Sequence, residues 1–213
     1  LEPQLRDSLG ADFEPVMKAM QQRAPVFLRA NLHKGDRAKA QAVLAKDGIE
    51  TDFISFVKYG LQVIMNSRKI ASSTAYVDGL VELQDAASQA VVEALPLQDG
   101  MRVLDYCCGG GGKALAMAAQ ARIALDCHDA MPRRMRDLPA RAARAGVEIN
   151  IVEKEALSSG YDLVLTDVPC SGSGSWRRDP QGKWALTEAR LAEVLHIQAQ
   201  ILDETAPLLA PKG

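Results

Sequence analysis

The sequence lacks the residue patterns that define several common classes of protein. Its four cysteines form no CxxC pair, and its three histidines are scattered, so we expect neither a metal site nor a disulfide scaffold. No apolar stretch reaches the roughly 18 residues of a membrane span, and the N-terminus has no hydrophobic signal core. A net charge of -2 argues against nucleic-acid binding over the whole surface. We therefore expect a cytoplasmic protein without metal or membrane contact, in which any polyanion site is local.

The first part of the chain predicts a small α+β subdomain. Hydrophobic residues make up 47% of the 213 residues, enough to bury a full core. Apolar spacing predicts helices over residues 12–23 and 36–46, and PVFLRAN at 25–31 is typical of a short strand. Residues 51–83 mix short apolar runs with turn residues, so we assign 1–83 to an N-terminal region that is helical and then small α+β.

A regular alternation follows from residue 84 to residue 213. A helix is predicted over 83–95, and helix-like segments separate the first three of four apolar strands. Such alternation predicts a parallel sheet in a doubly wound α/β domain. The predicted strands are MRVLDY (101–106), RIALDCH (122–128), VEINIV (147–152) and YDLVLTDV (161–168).

A glycine-rich loop, DYCCGGGGKALAMAAQA, joins the first of these strands to a helix. Glycines allow close backbone approach, and free amides at a helix start favour an anionic or polar group, which indicates a cofactor loop rather than a flexible turn. Cys107 and Ala114 stand where a P-loop needs Gly and Ser or Thr. The third glycine of a dinucleotide fingerprint is also missing.

The second strand ends at Asp129, 17 positions beyond Gly112. An acid at this place in doubly wound folds can bind ribose hydroxyls, which is the role we favour for Asp129; it can also cap the helix that starts near Met131, and the two roles can coexist. That helix carries several arginines, which form either an RNA-facing cationic surface or a solvated face; we count Arg134 among the cofactor-binding residues. The arginines are Arg133, Arg134, Arg136, Arg141 and Arg144.

The fourth strand ends in DVPCSGSGSWRRDP, which places Asp167 and Cys170 where ligands of open α/β sheets bind. Amino-directed methyltransferases carry an Asp/Asn-Pro-Pro-aromatic loop here, whereas this chain has a thiol. A thiolate that adds to carbon 6 of a pyrimidine makes carbon 5 nucleophilic, and a carboxylic acid near ring nitrogen 3 assists. Cys170 and Asp167 are therefore our candidate catalytic residues; the alternative is that Cys170 is a small buried hydrophobe.

The motifs DYCCGGGGK, LQDAASQ and DVPCSGSGSWRRDPQGKW resemble those of the RsmB/Sun-type RNA cytosine-C5 methyltransferases, and APVFLRAN resembles the start of that family's core. The resemblance covers residues from about 25 to the last. It implies a class I methyltransferase (Rossmann-like) fold, S-adenosylmethionine as cofactor, and 5-methylcytosine formation in rRNA more than in tRNA. It implies cofactor contacts for Cys107, Cys108, Gly109, Gly110, Gly111, Gly112, Lys113, Asp129 and Asp167. It also implies RNA contacts for the region 1–83, including Arg29, and for Arg177, while Arg178 and Lys183 would hold either the loop or the RNA backbone.

The sequence departs from that family in two places. The family's nucleophilic cysteine lies in a later Thr-Cys-Ser motif, which is absent; the sequence stops at LLAPKG, so we expect a C-terminal truncation. Cys170 then acts either in release of the methylated product, as the resemblance implies, or as nucleophile, with its thiol activated by the loop arginines Arg177 and Arg178. IVEKEALSSG lacks the aspartate that contacts adenine, for which Glu155 could substitute.

Two other functions fit the sequence less well. One is a non-catalytic RNA-binding or assembly factor that retains the methyltransferase fold, and the other is a small-molecule or protein methyltransferase. The target base must leave its stack to reach a strand-end site, so we expect an RNA loop or single strand as substrate. The sequence does not identify the oligomeric state.

Overall fold

A computed structural model describes residues 1–211 and 213 of the chain. The described residues form two compact units. The larger unit comprises Val26–Val168 and Gln200–Gly213, and the smaller comprises Leu1–Pro25 and Pro169–Ala199.

Helices and strands are interspersed along the chain. The helices are α1 (Glu2–Leu9), α2 (Phe13–Met20), α3 (Arg37–Lys46), α4 (Thr74–Val77), α5 (Ala86–Glu93), α6 (Gly112–Gln120), α7 (Leu138–Ala145), α8 (Gly182–Ala185) and α9 (Glu188–Thr205). The strands are β1 (Val26–Ala30), β2 (Glu50–Phe53), β3 (Gly60–Met65), β4 (Val81–Leu83), β5 (Arg102–Asp105), β6 (Ala124–Cys127), β7 (Asn150–Ile151) and β8 (Leu163–Leu165).

The first sheet of the larger unit is antiparallel, in the order β2-β3-β1-β4. Side chains alternate between the two faces along β1 and β3. On one face, Leu28 and Leu61 pack in a fully buried cluster with Leu44 of α3. On the other face of the sheet, Arg29 of β1 lies directly across from Glu82 of β4. This sheet therefore has one apolar face and one face that buries charge.

The second sheet is parallel, in the order β7-β6-β5-β8, and confirms the predicted doubly wound, Rossmann-like domain. The chain reverses its direction of strand addition between β5 and β8, and such a switch point opens a crevice at the carboxyl ends of the strands. Helix α6 buries six consecutive residues, five of them small or unbranched alanine and methionine side chains, against this sheet. The predicted strand over 147–152 shortens to β7, because Val147 and Ile149 pack on the core from a loop.

Close packing at the start of α6 depends on glycine. Gly111 has a φ of 80°, in the left-handed region, and a β-carbon there would collide with the Leu138 side chain. The loop can approach α7 this closely only without a side chain at position 111.

Hydrogen bonds join the segment after β1 to the end of helix α7. The Asn31 side-chain amide donates to the Gly79 and Ala145 carbonyls at 2.9 and 2.7 Å, and Lys34 Nζ donates to the Arg144 carbonyl at 2.6 Å. The segment after β1 thus satisfies backbone acceptors at the end of α7, which have no partner within the helix.

The smaller unit brings the start of the chain to the loop after β8. Arg177 donates to the carbonyls of Gln22 and Arg23 at 3.1 and 3.0 Å, and Trp176 is buried. Among the described residues, no helix has both the length and the apolar character that crossing a membrane requires.

Candidate active site

Three aspartates mark the carboxyl ends of adjacent strands in the larger unit. Asp105 is the last residue of β5, Asp129 follows β6 by two residues, and Asp167 follows β8 by two. Parallel pairing brings these ends to one edge of the sheet, at the switch point.

A cavity of about 210 Å³ opens at this edge. Two of the strand-end aspartates, the glycine loop and the segment after β4 all contribute to its wall. The lining residues are Gln84, Ser88, Asp105, Cys107, Cys108, Gly109, Gly110, Gly112, Lys113, Arg134 and Asp167. Eight of the predicted site residues therefore lie together; Gly111 and Asp129 are adjacent in sequence or by hydrogen bond to this lining but are not part of it.

Asp105 is the most deeply buried carboxylate of the cavity, at 1% exposure. Its Oδ1 atom is buried without a hydrogen-bond partner. Burial, and then the nearby charge of Asp167, raise the pKa of Asp105 to about 7, although Lys113 acts in the opposite direction. A buried acceptor without a partner is unfavourable unless a ligand supplies the donor, so Asp105 fits a cationic or hydrogen-bonding group in the cavity.

Lys113 connects the glycine loop to the end of β8. Its Nζ atom donates to Asp167 Oδ2 at 2.5 Å, with the lysine side chain 16% exposed and the aspartate side chain 54% exposed. The bridge fixes the exposed carboxylate at the mouth of the cavity, and it provides the positive charge that faces Asp105.

Asp129 is also buried, but its carboxylate is bonded on both oxygens. Oδ2 accepts from the Gly109 amide at 2.9 Å and pairs with Arg134 at 3.0 Å, while Oδ1 accepts from the Met131 amide at 2.9 Å. Asp129 therefore ties the glycine loop to the turn after β6 and holds Arg134 at the cavity.

The two thiols of the cavity are poor candidates for a thiolate. Burial raises the pKa of Cys107 to about 11. A hydrogen bond with Cys127, followed by burial, raises the pKa of the Cys108 thiol further. Of the four cysteines, all of which lie in the described part of the chain, Cys170 is the exposed one.

The predicted RNA-contacting residues lie elsewhere. Arg29 is only 5% exposed and donates to Gln84 Oε1 at 2.7 Å, so contact with RNA would require it to leave this position. Burial lowers its pKa to about 10, which still leaves it protonated at neutral pH. Cys170, Arg177, Arg178 and Lys183 belong to the smaller unit, where Arg178 is exposed and Lys183 is half-buried.

Sequence reasoning did not single out Asp105, Gln84 or Ser88 as site residues. Asp105 precedes the glycine loop and closes a strand, and that position was the available signal. Gln84 and Ser88 lie in the LQDAASQ motif. In residues 1–211 and 213, no group of three or more His, Cys, Asp or Glu side chains is arranged to hold a metal ion.

The parallel sheet and the cavity at its switch point define a Rossmann-like domain with a candidate ligand site at the carboxyl ends of its strands. The family model for the 16S rRNA methyltransferase RsmB/F matches residues 92–213, and one for the Methyltr_RsmF/B-like, ferredoxin-like domain matches residues 1–70. The chain belongs to the RsmB/F methyltransferase family, as the sequence motifs predicted.

Individual relatives agree with this assignment. The chain is 28% identical to a ribosomal RNA small subunit methyltransferase B of Klebsiella pneumoniae, over 98% of this chain and 50% of the relative. It is 32% identical to the human 28S rRNA (cytosine(4447)-C(5))-methyltransferase, over 84% of this chain and 23% of the relative. The chain thus spans about half the length, or less, of these curated relatives.

A solved structure shows the same fold. The crystal structure of NSun6 from Pyrococcus horikoshii with SFG aligns over 100% of this chain and 80% of that chain, with a TM-score of 0.86 and 14% identity.

Proposed function

We propose that this chain binds S-adenosylmethionine in the strand-end cavity and takes part in methyl transfer to carbon 5 of a cytosine in rRNA. The observation that carries the proposal is the buried, unpartnered Oδ1 of Asp105 beside a glycine loop, in a chain of the RsmB/F family. The names of the two relatives support rRNA as substrate class, and the human one supports cytosine C5.

The residues of the cavity fit this cofactor. Asp105 would accept a hydrogen bond from the amino group of its methionine part, which also supplies the positive charge that a buried carboxylate needs. Loop residues 107–113 would approach it with their backbone. Asp129 accepts three bonds, and a carboxylate has about four acceptor positions, so one remains for a ribose hydroxyl.

The cofactor, when bound, supplies a methyl group on a positively charged sulfur. The chain contributes Asp167, which Lys113 holds at the cavity mouth and which would interact with nitrogen 3 of the base. Carbon 5 of cytosine becomes a nucleophile only after a thiolate adds to carbon 6. The protonated thiols of Cys107 and Cys108 do not suit that step.

Cys170 would act after transfer, in the release of the methylated base, as the family motif implies. Its exposure in the described structure leaves the thiol accessible. Arg177, Arg178 and Lys183 would hold the RNA backbone near this loop. An unpaired cytosine is the appropriate substrate, because a base within a helix does not reach a strand-end cavity.

The test is methyl transfer from labelled S-adenosylmethionine to unmodified rRNA and tRNA, with the product located by nucleoside analysis. It is run with this chain and with a version extended to the length of its relatives. We expect 5-methylcytidine in rRNA with at least the longer form, and none with Asp167→Ala in either. Cofactor and RNA binding without label in any form would favour the non-catalytic RNA-binding alternative, and label at another atom would overturn the assignment to carbon 5.

A further inference from the structure

We propose that strand β4 of the antiparallel sheet positions the glycine loop of the methyltransferase cavity, through Glu82 with Arg141 and through Gln84. This inference rests on the proposed function, since it assigns positioning residues to the same cofactor site. It concerns side chains whose sequence context, a helix rich in arginine, had suggested a solvated or RNA-facing surface.

Glu82 is the centre of the arrangement. It is 2% exposed, and its Oε2 pairs with Arg141 at 2.9 Å while its Oε1 pairs with Arg144. Arg29 lies directly opposite on β1, and its pKa responds to the Glu82 charge. A carboxylate this deeply buried needs such partners, because an unpaired charge in the protein interior is very unfavourable.

Arg141 extends the arrangement to the cofactor loop. Its second terminal nitrogen donates to the carbonyl oxygen of Gly110, so one guanidinium joins β4 to the loop. The two-pronged geometry of arginine allows this, whereas a lysine ammonium on a single stem would not hold both acceptors in one plane.

Gln84 provides a second, parallel connection. Its Nε2 donates to the Gly112 carbonyl at 3.0 Å, and its Oε1 accepts from the buried Arg29 at 2.7 Å. Both the nitrogen and the oxygen of this side-chain amide are therefore hydrogen-bonded, which fixes the orientation of the group. Two carbonyls of the loop are thus bonded: that of Gly110 by Arg141 of α7, which Glu82 of β4 holds, and that of Gly112 by Gln84, the residue directly after β4 and 28 positions before Gly112.

The chain offers a matched control for this role. Arg141 and Arg144 pair with the same carboxylate and have nearly equal side-chain exposure, 23% and 22%. Arg144 instead lies over the ring of Tyr76, at 4.2 Å, and has no bond to the loop. A purely structural role for the ion pairs predicts similar effects of Arg141→Met and Arg144→Met, whereas a positioning role predicts an effect at the loop for Arg141→Met alone.

The first readout needs no ligand. Amide hydrogen exchange of residues 109–113 is measured in the full 213-residue chain, because loosening of the loop raises exchange locally. We expect a rise of about tenfold in Arg141→Met and less than about twofold in Arg144→Met, as one charged hydrogen bond is worth about that factor. Equal changes in the two variants would overturn the inference. Should Arg141→Met not fold, Gln84→Met serves, since it frees the Gly112 carbonyl and leaves Glu82 paired.

The second readout is the dissociation constant of S-adenosylhomocysteine, which should rise about tenfold in Arg141→Met and stay within about twofold in Arg144→Met. Wild-type binding without this contrast would overturn the positioning role while leaving the proposed function intact. Absence of wild-type binding, together with the exchange contrast, would contradict the proposed cofactor but support the role of β4 in holding the loop.

Discussion

The ends of β5 and β6 bury two aspartates in opposite ways. Asp129 is bonded on both carboxylate oxygens, to two backbone amides and to Arg134. Asp105, on the neighbouring strand, keeps one buried oxygen without a partner. Both are at most 3% exposed, so burial alone does not separate them.

The difference separates a carboxylate that the protein itself holds on both oxygens from one that keeps a buried oxygen without a protein partner. The bonds of Asp129 stabilise the folded chain, because its three protein partners replace most of the water contacts that burial removed. The cost of burying Asp105 is only partly compensated: its pKa of about 7 shows that burial and Asp167 outweigh Lys113 and the hydrogen bonds from Cys108 and Ala114. A cationic group that enters the cavity would offset the remainder.

The largest effect is expected from Asp129→Ala. The change leaves the amides of Gly109 and Met131 without their acceptor and removes the partner of Arg134. We expect the free energy of unfolding to fall by about 3 kcal/mol, measured by urea denaturation. A loss below about 1 kcal/mol would contradict the structural role given to this carboxylate.

The next effect is the loss of cofactor affinity in Asp105→Asn. Removing the carboxylate that would face the amino group should weaken S-adenosylhomocysteine binding about 100-fold, or about 2.7 kcal/mol, by calorimetry. The matched control is 5′-methylthioadenosine, which lacks the amino acid part. Equal losses for the two ligands would place Asp105 away from the amino group.

The same variant should not destabilise the unliganded chain. The pKa of Asp105 is raised in the folded state, so between about pH 4 and pH 7 the folded chain keeps a proton that the unfolded chain releases. Its contribution to the free energy of unfolding therefore falls as pH rises through this window, by a few kcal/mol at most. We expect Asp105→Asn to melt at or above the wild-type temperature at pH 8, with a smaller gain at pH 5. A gain in melting temperature that is larger at pH 5 than at pH 8 would contradict the raised pKa of Asp105.

The smallest effect is expected from Arg134→Met. Its ion pair with Asp129 joins a buried carboxylate to a guanidinium side chain that is 49% exposed, and solvent screens such pairs. We expect a loss of under about 1 kcal/mol in urea denaturation, because the two amide bonds to Asp129 remain. A loss equal to that of Asp129→Ala would mean that the ion pair, not the amides, carries the stability.

Local patterns predicted the sheet that carries the site but not the pairing of its charges. Strand and helix alternation identified the parallel sheet, and the glycine run identified the loop, because both depend on residues close in sequence. Arg29, for which the family resemblance implies contact with RNA, lies opposite Glu82, 53 positions away, and no local pattern indicates this pairing. Arg141 and Arg144 likewise pair with a strand some 60 residues earlier. Hydrophobic periodicity carries no information about which distant charges are buried together.

The bonds from Glu82 and Gln84 to the loop also limit how this fold can be recombined. A chimaera that begins at α5, or that carries an unrelated module before it, would retain the glycine run and all three strand-end aspartates. It would nevertheless lose the carboxylate that Arg141 and Arg144 share and the amide that meets the Gly112 carbonyl. The parallel-sheet part therefore cannot be transferred alone into another protein. A chimaera would also need β4 and Gln84, or an equivalent acid and amide, to hold the loop.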